Sequence, residues 1–458
     1  MEAILDDHLD MPEAGVGTSA DRATMEALFN EPPPEQGMDF TRLLADVRDK
    51  ILHHALRPNH PRFLAFIPSA PSFASILGDC LAGGANLFAG VWLEAAAATQ
   101  IEITVLDWFK QLLGLPASTQ GLLTSGGSEA NLIALVAARE RLTFPDRARS
   151  VLYASEERHW SIDRAVNIIG MGPDQLCARL PCDTNQSLRV DALEEAVKRD
   201  REAGRIPWLI LANAGATNTG SIDPLAELAG LRDRHQLWLH VDAAYGWPAV
   251  LTAEGQAALA GIERADSITL DPHKWFAQTF EAGCLLVRQG DLLTQAFQMR
   301  PAYLQDVTPA EDEINFCDRG IALTRRFRAL KIWFSIKLLG LAWFRKLVAH
   351  SCALADYAQA LLERNPAFEI TSPRRLSIVC FRYIPDRPQL SPAQTDALQI
   401  AIAEELRRTG RAFLSTTRLH GRNTLRFCLV NARTTAADVE EIVRLLTDIG
   451  IRLAMLGK

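Results

Sequence analysis

No stretch of this 458-residue chain reaches about 18 consecutive apolar residues, so a membrane-spanning helix is not expected. Paired cysteines are missing too. Cys80, Cys177, Cys182, Cys284, Cys317, Cys352, Cys380 and Cys428 are scattered, with no CxxC spacing, and read as small core hydrophobes of a reduced, cytoplasmic chain. Histidine and cysteine never cluster at metal-ligand spacing, so no metal centre is expected. Basic residues do not predominate: the net charge is −7, which argues against a nucleic-acid partner, since that would select a basic face. The start MEAILDDHLDMPEAGVG is acidic and has neither a basic n-region nor an apolar h-region, so no signal peptide is expected. Internal repeats and low-complexity tracts are also lacking.

What remains has the profile of an ordinary globular protein, 48% apolar and 22% charged, long enough for two or three packed domains. Residues 1–70 read as a thin helical segment, with helices at 21–29 and 40–56 interrupted by Glu31-Pro32-Pro33-Pro34-Glu35. Such a layer has little core of its own and is expected to pack on another surface, such as a second subunit. Residues 71–335 alternate short apolar runs with amphipathic helices, the pattern of an α/β domain with a mostly parallel sheet. Its clearest unit is a strand at 208–212, a helix entered at Asp223-Pro224 as N-cap and first residue, and strands at 237–242 and 267–270. The stretch 321–350 reads as a basic helix leading into a small α+β domain, 336–458, with strands at 377–383 and 424–429 and helices at 392–408 and 436–449.

Ligands of parallel sheets bind beyond the carboxyl ends of the strands, which directs attention to three segments. One strand ends in His240-Val241-Asp242-Ala243-Ala244-Tyr245-Gly246; Asp242 alone fits a turn or cap equally well. The next ends in Asp271-Pro272-His273-Lys274-Trp275, where Pro272 stops the strand. A lysine beside a histidine and an aromatic, after a buried strand, is a candidate imine-forming amine, although an isolated loop lysine is usually solvated. The third, Thr124-Ser125-Gly126-Gly127-Ser128-Glu129-Ala130-Asn131, opens a helix whose free N–H groups suit an anion such as phosphate; by itself it fits a capped helix as well. Together the three supply an amine, an acid and an anion site, which is what pyridoxal 5′-phosphate (PLP) requires for its aldehyde, ring nitrogen and phosphate. His159, after another strand, is a candidate group to stack on a flat ring.

TSGGSEAN, HVDAAYG, ADSITLDPHKW and TRRFRALKIWF, in this order, resemble the aromatic-L-amino-acid decarboxylase family, the group II PLP-dependent decarboxylases. The resemblance runs from His60 to about Trp333 and more weakly beyond. It implies an α/β, type I PLP-dependent (aspartate aminotransferase-like) fold, a homodimer whose N-terminal segment wraps the partner, and decarboxylation of a small-molecule L-amino acid. It implies that Lys274 forms the Schiff base with PLP, with His273 beside the phosphate. Asp242 then pairs with the ring nitrogen, Ala244 packs on the ring and His159 stacks on the other face, where it helps to position the substrate carboxylate. Gly126, Gly127 and Ser128 hold the phosphate, and Thr217 lies near the cofactor.

The chain departs from the family pattern in three places. Phe316 stands where a loop tyrosine usually delivers a proton, and it has no hydroxyl. Family members with phenylalanine there are aldehyde synthases, which couple decarboxylation to oxidative deamination; the alternative is a register in which Tyr303 or a water supplies the proton. Trp160 replaces the small serine that usually follows the stacking histidine. The expected substrate pocket, Phe66, Ile67, Pro68 and Ser69 with Phe88, Gly90 and Phe316, lacks some of the usual aromatics. Its apolar lining favours an aromatic or aliphatic substrate over glutamate, whose carboxylate would need a paired cation. A catalytically silent PLP-binding scaffold is the reading from outside enzymology.

Overall fold

In a computed structural model, the chain is described at residues 15–68, 70–299, 310, 312–386 and 389–456. Two compact units emerge. One gathers the described residues of Met1–Pro68, Asp356–Thr371 and Val379–Lys458; the other gathers those of Ser69–Ala355 and Ser372–Ile378. The helix Ala329–Glu363, interrupted at Gly340, contributes to both.

The larger unit is built on a seven-stranded sheet of β1 (Gln120–Thr124), β2 (Ser150–Ser155), β3 (Leu176–Leu180), β4 (Ile206–Asn213), β5 (Trp238–Asp242), β6 (Ser267–Leu270) and β7 (Gly283–Val287). Their order is β1-β7-β6-β5-β4-β2-β3. The pairs β3–β2, β2–β4, β4–β5 and β5–β6 are parallel, and β7 runs antiparallel to β6 and β1. The sheet is therefore α/β and mostly parallel, as the sequence pattern predicts. β2, β5, β6 and β7 are buried at every position, because a parallel sheet covered on both faces must be apolar throughout instead of alternating. The register Asp242↔Thr269 brings the ends of β5 and β6 side by side, and the N–H of Asp271 donates to the Ala244 carbonyl. The two candidate loops are thus one structural feature.

The smaller unit carries a second sheet of β8 (Phe368–Ile370), β9 (Ile378–Tyr383), β10 (Ser415–Leu419) and β11 (Arg422–Cys428), in the order β10-β11-β9-β8. Two stretches of the N-terminal segment pack within this unit. Phe63 pairs with Phe413, and Val16, Phe63 and Ala65 form a core cluster with Leu56 and Phe413 packed against it.

Three local expectations are corrected. The 40–56 helix is α-helical only over Phe40–Asp46, then widens to a π turn and tightens to a 3₁₀ turn. Asp223 does not cap the helix Leu225–His235; its carboxylate accepts from the backbone N–H groups of Leu188 and Asn213. The 321–350 helix begins only at Ala329, because Arg325 and Arg328 are drawn into ion pairs with Glu102 and Glu281. No helix among the described residues is long and apolar enough to cross a membrane.

Candidate functional site

A cavity of ≈360 Å³ opens in the larger unit where β4, β5 and β6 end. Its lining contains all nine residues assigned above to the cofactor: Gly126, Gly127, Ser128, His159, Thr217, Asp242, Ala244, His273 and Lys274.

Asp242 is the last residue of β5. Its Oδ2 accepts from Asn131 Nδ2 at 2.9 Å and its Oδ1 from the Ala244 N–H at 3.1 Å, so the carboxylate is anchored by two donors. Lys274 follows the turn after β6, and its Nζ lies 3.1 Å from Asp271 Oδ2. His273 Nε2 lies 3.8 Å from the same oxygen, and Nδ1 lies 2.8 Å from the Ala282 carbonyl oxygen. Burial lowers the proton affinity of His273 below the usual histidine range, with Asp271 opposing. His159 sits between β2 and the helix Ser161–Ile168. Burial lowers its pKa as well, against the opposing charge of Asp242, so the imidazole is held toward its neutral form.

The helix Gly127–Arg139 starts without a side-chain cap, which leaves its first-turn N–H groups for an anion. Glu129, although in that turn, is folded back to accept from the Ser125 N–H and hydroxyl. Both glycines are needed for space. A Cβ on Gly127 would lie 3.0 Å from Asp271 Oδ2 and 3.3 Å from Ala244 Cβ, and one on Gly126 would lie 3.3 Å from the His273 ring. Between them the cavity walls supply an amine, an anchored carboxylate and an uncapped helix start. The residues present fit PLP.

None of the described residues expected for the substrate pocket is among this lining. Phe88, Gly90 and Phe316 belong to the larger unit but do not line the cavity. Phe316 is fully buried, with the Arg325 guanidinium 4.8 Å and that of Arg319 5.5 Å from its ring centroid. Phe66, Ile67 and Pro68 belong to the smaller unit, with Phe66 60% exposed. Ser69 and Tyr303 lie outside the described residues. Trp160 is exposed next to His159, with Arg164 stacked on its ring. Sequence reasoning passed over Asn131, Ser161 and Asp271, which also line the cavity. Asn131 and Asp271 stand inside motifs already singled out, and Ser161 follows His159 by two positions; none had a visible partner.

A family profile described as "Pyridoxal-dependent decarboxylase conserved domain" matches residues 23–384. The chain is 40% identical over 445 residues to an aromatic-L-amino-acid decarboxylase of Bacillus atrophaeus, covering 97% of this chain and 92% of that protein. It is 33% identical over 437 residues to a phenylacetaldehyde synthase of Arabidopsis thaliana, covering 93% and 89%. Its fold superimposes on the crystal structure of Oryza sativa TDC with PLP and tryptamine with a TM-score of 0.94 and 28% identity, covering 99% of this chain and 96% of that one.

Proposed function

Because this chain belongs to the pyridoxal-dependent decarboxylase family and is a PLP-dependent amino-acid decarboxylase, we propose that it converts an aromatic L-amino acid to the amine and carbon dioxide, with Lys274 as the amine that carries the coenzyme. The observation behind this reading is the convergence of Lys274, Asp242, His159 and the uncapped start of Gly127–Arg139 on one cavity. When bound, PLP supplies an aldehyde for amine condensation and a ring that takes up the electron pair left on Cα as carbon dioxide departs.

The protein's own groups then have distinct tasks. Lys274 gives the condensing nitrogen, and Asp271 holds that amine while it is free. Asp242, fixed by Asn131 and the Ala244 N–H, presents a carboxylate that keeps a proton on the ring nitrogen. The N–H groups at Gly127 and Ser128 would receive the phosphate, whose charge suits the helix N-terminus. His159, neutral through burial, offers a flat face and one N–H. Lys274 is the only Lys or Arg among the described lining residues, and it is already paired. A substrate carrying a second carboxylate would find no cation there, which favours an aromatic side chain over glutamate.

The test is to incubate purified protein with a panel of L-amino acids and measure carbon dioxide and amine together. Equimolar carbon dioxide and amine from an aromatic substrate is expected; carbon dioxide from none of the panel would overturn the reading. A second reading, supported by the 33% identity to a phenylacetaldehyde synthase, couples decarboxylation to oxidation. Amino acid, oxygen and water then give aldehyde, carbon dioxide, ammonia and hydrogen peroxide. Turnover without oxygen consumption or peroxide would rule it out.

The assembly belonging to this reading is a homodimer in the cytoplasm. Neither Arg22–Phe29 nor Phe40–Asp46 buries a residue, and Phe29, Phe40, Leu43 and Leu44 are all exposed. A second copy would cover this apolar face, and sedimentation should give twice the chain mass.

A further inference from the structure

Behind the cavity, seven side chains of the larger unit form one continuous run of hydrogen bonds. Trp238 Nε1 lies 2.8 Å from Ser267 Oγ, which lies 2.8 Å from His240 Nδ1. His240 Nε2 lies 3.0 Å from Asn131 Oδ1. Asn131 Nδ2 lies 2.9 Å from Asp242 Oδ2 and 3.1 Å from Ser161 Oγ, and Ser161 Oγ lies 2.8 Å from His159 Nδ1. All are buried except His159, which opens on the cavity.

The directions in this run follow from the Asp242 carboxylate at its centre. An indole N–H can only donate, so Ser267 Oγ accepts from Trp238, and its second bond, to His240 Nδ1, is set from the other end of the run. An ionised carboxylate can only accept, so the group facing Asp242 is the Asn131 amino group, and its carbonyl faces His240. That carbonyl can only accept, so neutral His240 carries its proton on Nε2, and its bare Nδ1 takes the Ser267 hydroxyl proton. The second amino proton of Asn131 goes to Ser161 Oγ, which lies 2.8 Å from His159 Nδ1. The Ser161 backbone N–H points at the same nitrogen from 3.3 Å. A backbone N–H can only donate, so Nδ1 accepts, and the Ser161 hydroxyl donates to it as well. Desolvation also pulls the His240 pKa down to about 4, which keeps that residue neutral as the run requires.

We infer that Asn131 is a positioning residue: it couples the Asp242 carboxylate to Ser161 and so fixes the proton of neutral His159 on Nε2. One side-chain amide thereby anchors the acid meant for the ring nitrogen and sets the imidazole meant for the opposite face. The consequence rests on the decarboxylation reading above. An Nε2–H is a donor for an incoming substrate carboxylate, whereas the other tautomer would set a lone pair against it.

The test is NMR of ¹⁵N-histidine-labelled protein, with and without PLP, reading two-bond proton–nitrogen correlations of His159 assigned against His159→Gln. Wild type is expected to show one neutral tautomer, protonated on Nε2. Asn131→Leu and Ser161→Ala are expected to show mixed tautomers, with kcat lowered by about tenfold and KM little changed; Ser161→Thr, which keeps the hydroxyl, should restore both. Ser161→Ala removes a single oxygen and keeps the test open should Asn131→Leu fold poorly. A proton on Nδ1 in wild type, or an unmixed Nε2–H tautomer in Ser161→Ala, would overturn the inference. The two readings fail separately. Normal turnover with the reversed tautomer sinks only the role of Asn131, and the stated tautomer in a protein that releases no carbon dioxide supports that role while sinking the reaction.

Discussion

Lys274 and Arg325 are both cations set into the interior of the larger unit, and their surroundings differ in kind. Arg325, 2% exposed, gives its protons to the Ala89 and Leu123 carbonyls and to Glu102, itself 1% exposed. Glu102 in turn accepts from the Leu123 N–H, so the pair fastens the end of β1 to two other segments. Lys274 has Asp271 on one side and the cavity on the other. A buried cation held by a carboxylate and two backbone carbonyls of its own chain acts as a fastening. One that faces a void is kept for something that enters.

Substitutions at the two sites should therefore fail in different ways. Lys274→Ala is expected to abolish both turnover and the imine absorbance of the bound coenzyme, read by visible spectroscopy and carbon dioxide release. Retention of either would show that another amine does the work. Arg325→Met should act on folding instead. It leaves Glu102 buried without its partner, at a cost of about 3–5 kcal/mol in unfolding free energy, while protein that remains folded keeps the imine absorbance. Glu102→Leu combined with Arg325→Met should recover most of that loss, since the stranded charge is gone. A urea midpoint unchanged in the single variant would remove the fastening role.

Asp242→Asn sharpens the contrast from within the cavity. The variant keeps the shape of the side chain but not its charge, and the loss of preorganised electrostatics predicts kcat lower by roughly 10²–10³, with coenzyme still bound. Equal losses of kcat and coenzyme affinity would instead make Asp242 a binding group.

The difference between these regions also explains what could be read from the sequence. The strand Ser267–Leu270 and the helix Pro392–Arg408 lie where the pattern places them, because a proline or a Ser391 capping box marks their limits locally. Seven of the nine positions expected to serve the cofactor stand in three contiguous motifs near strand ends, and all nine line the cavity; Thr217 was reached only through the family resemblance. Asp223 was misread because two buried N–H groups from Leu188 and Asn213 needed an acceptor, and that demand outweighs a cap. Arg325 sat in an apparent helix for a similar reason, since its partner Glu102 lies 223 positions away. Asn131 stood in plain view within TSGGSEAN, yet its value lies in Asp242 and His240, 111 and 109 positions distant. Local signals end where such partners begin.

Phe316 joins the two regions, being a residue the family resemblance assigns to chemistry while its surroundings belong to the fastening. It starts the 3₁₀ turn Phe316–Arg319 and has no exposed surface, and the guanidinium of Arg325 lies over its ring. Cation and ring attract there by roughly 0.5–2 kcal/mol, and the neighbouring Cys317 N–H is tied to the Gly90 carbonyl. Within one chain, a hydroxyl added to this ring stays outside the cavity lined by Lys274 and His159, because Phe316 does not line it. Phe316→Tyr is therefore expected to leave the ratio of amine to aldehyde unchanged, with a small loss of stability from a polar group placed in an apolar site. Simultaneous measurement of amine, aldehyde, oxygen and peroxide decides the matter. A shift from aldehyde to amine in the variant would mean that this ring reaches reacting atoms in the working enzyme, and would carry Phe316 from the fastening to the chemistry.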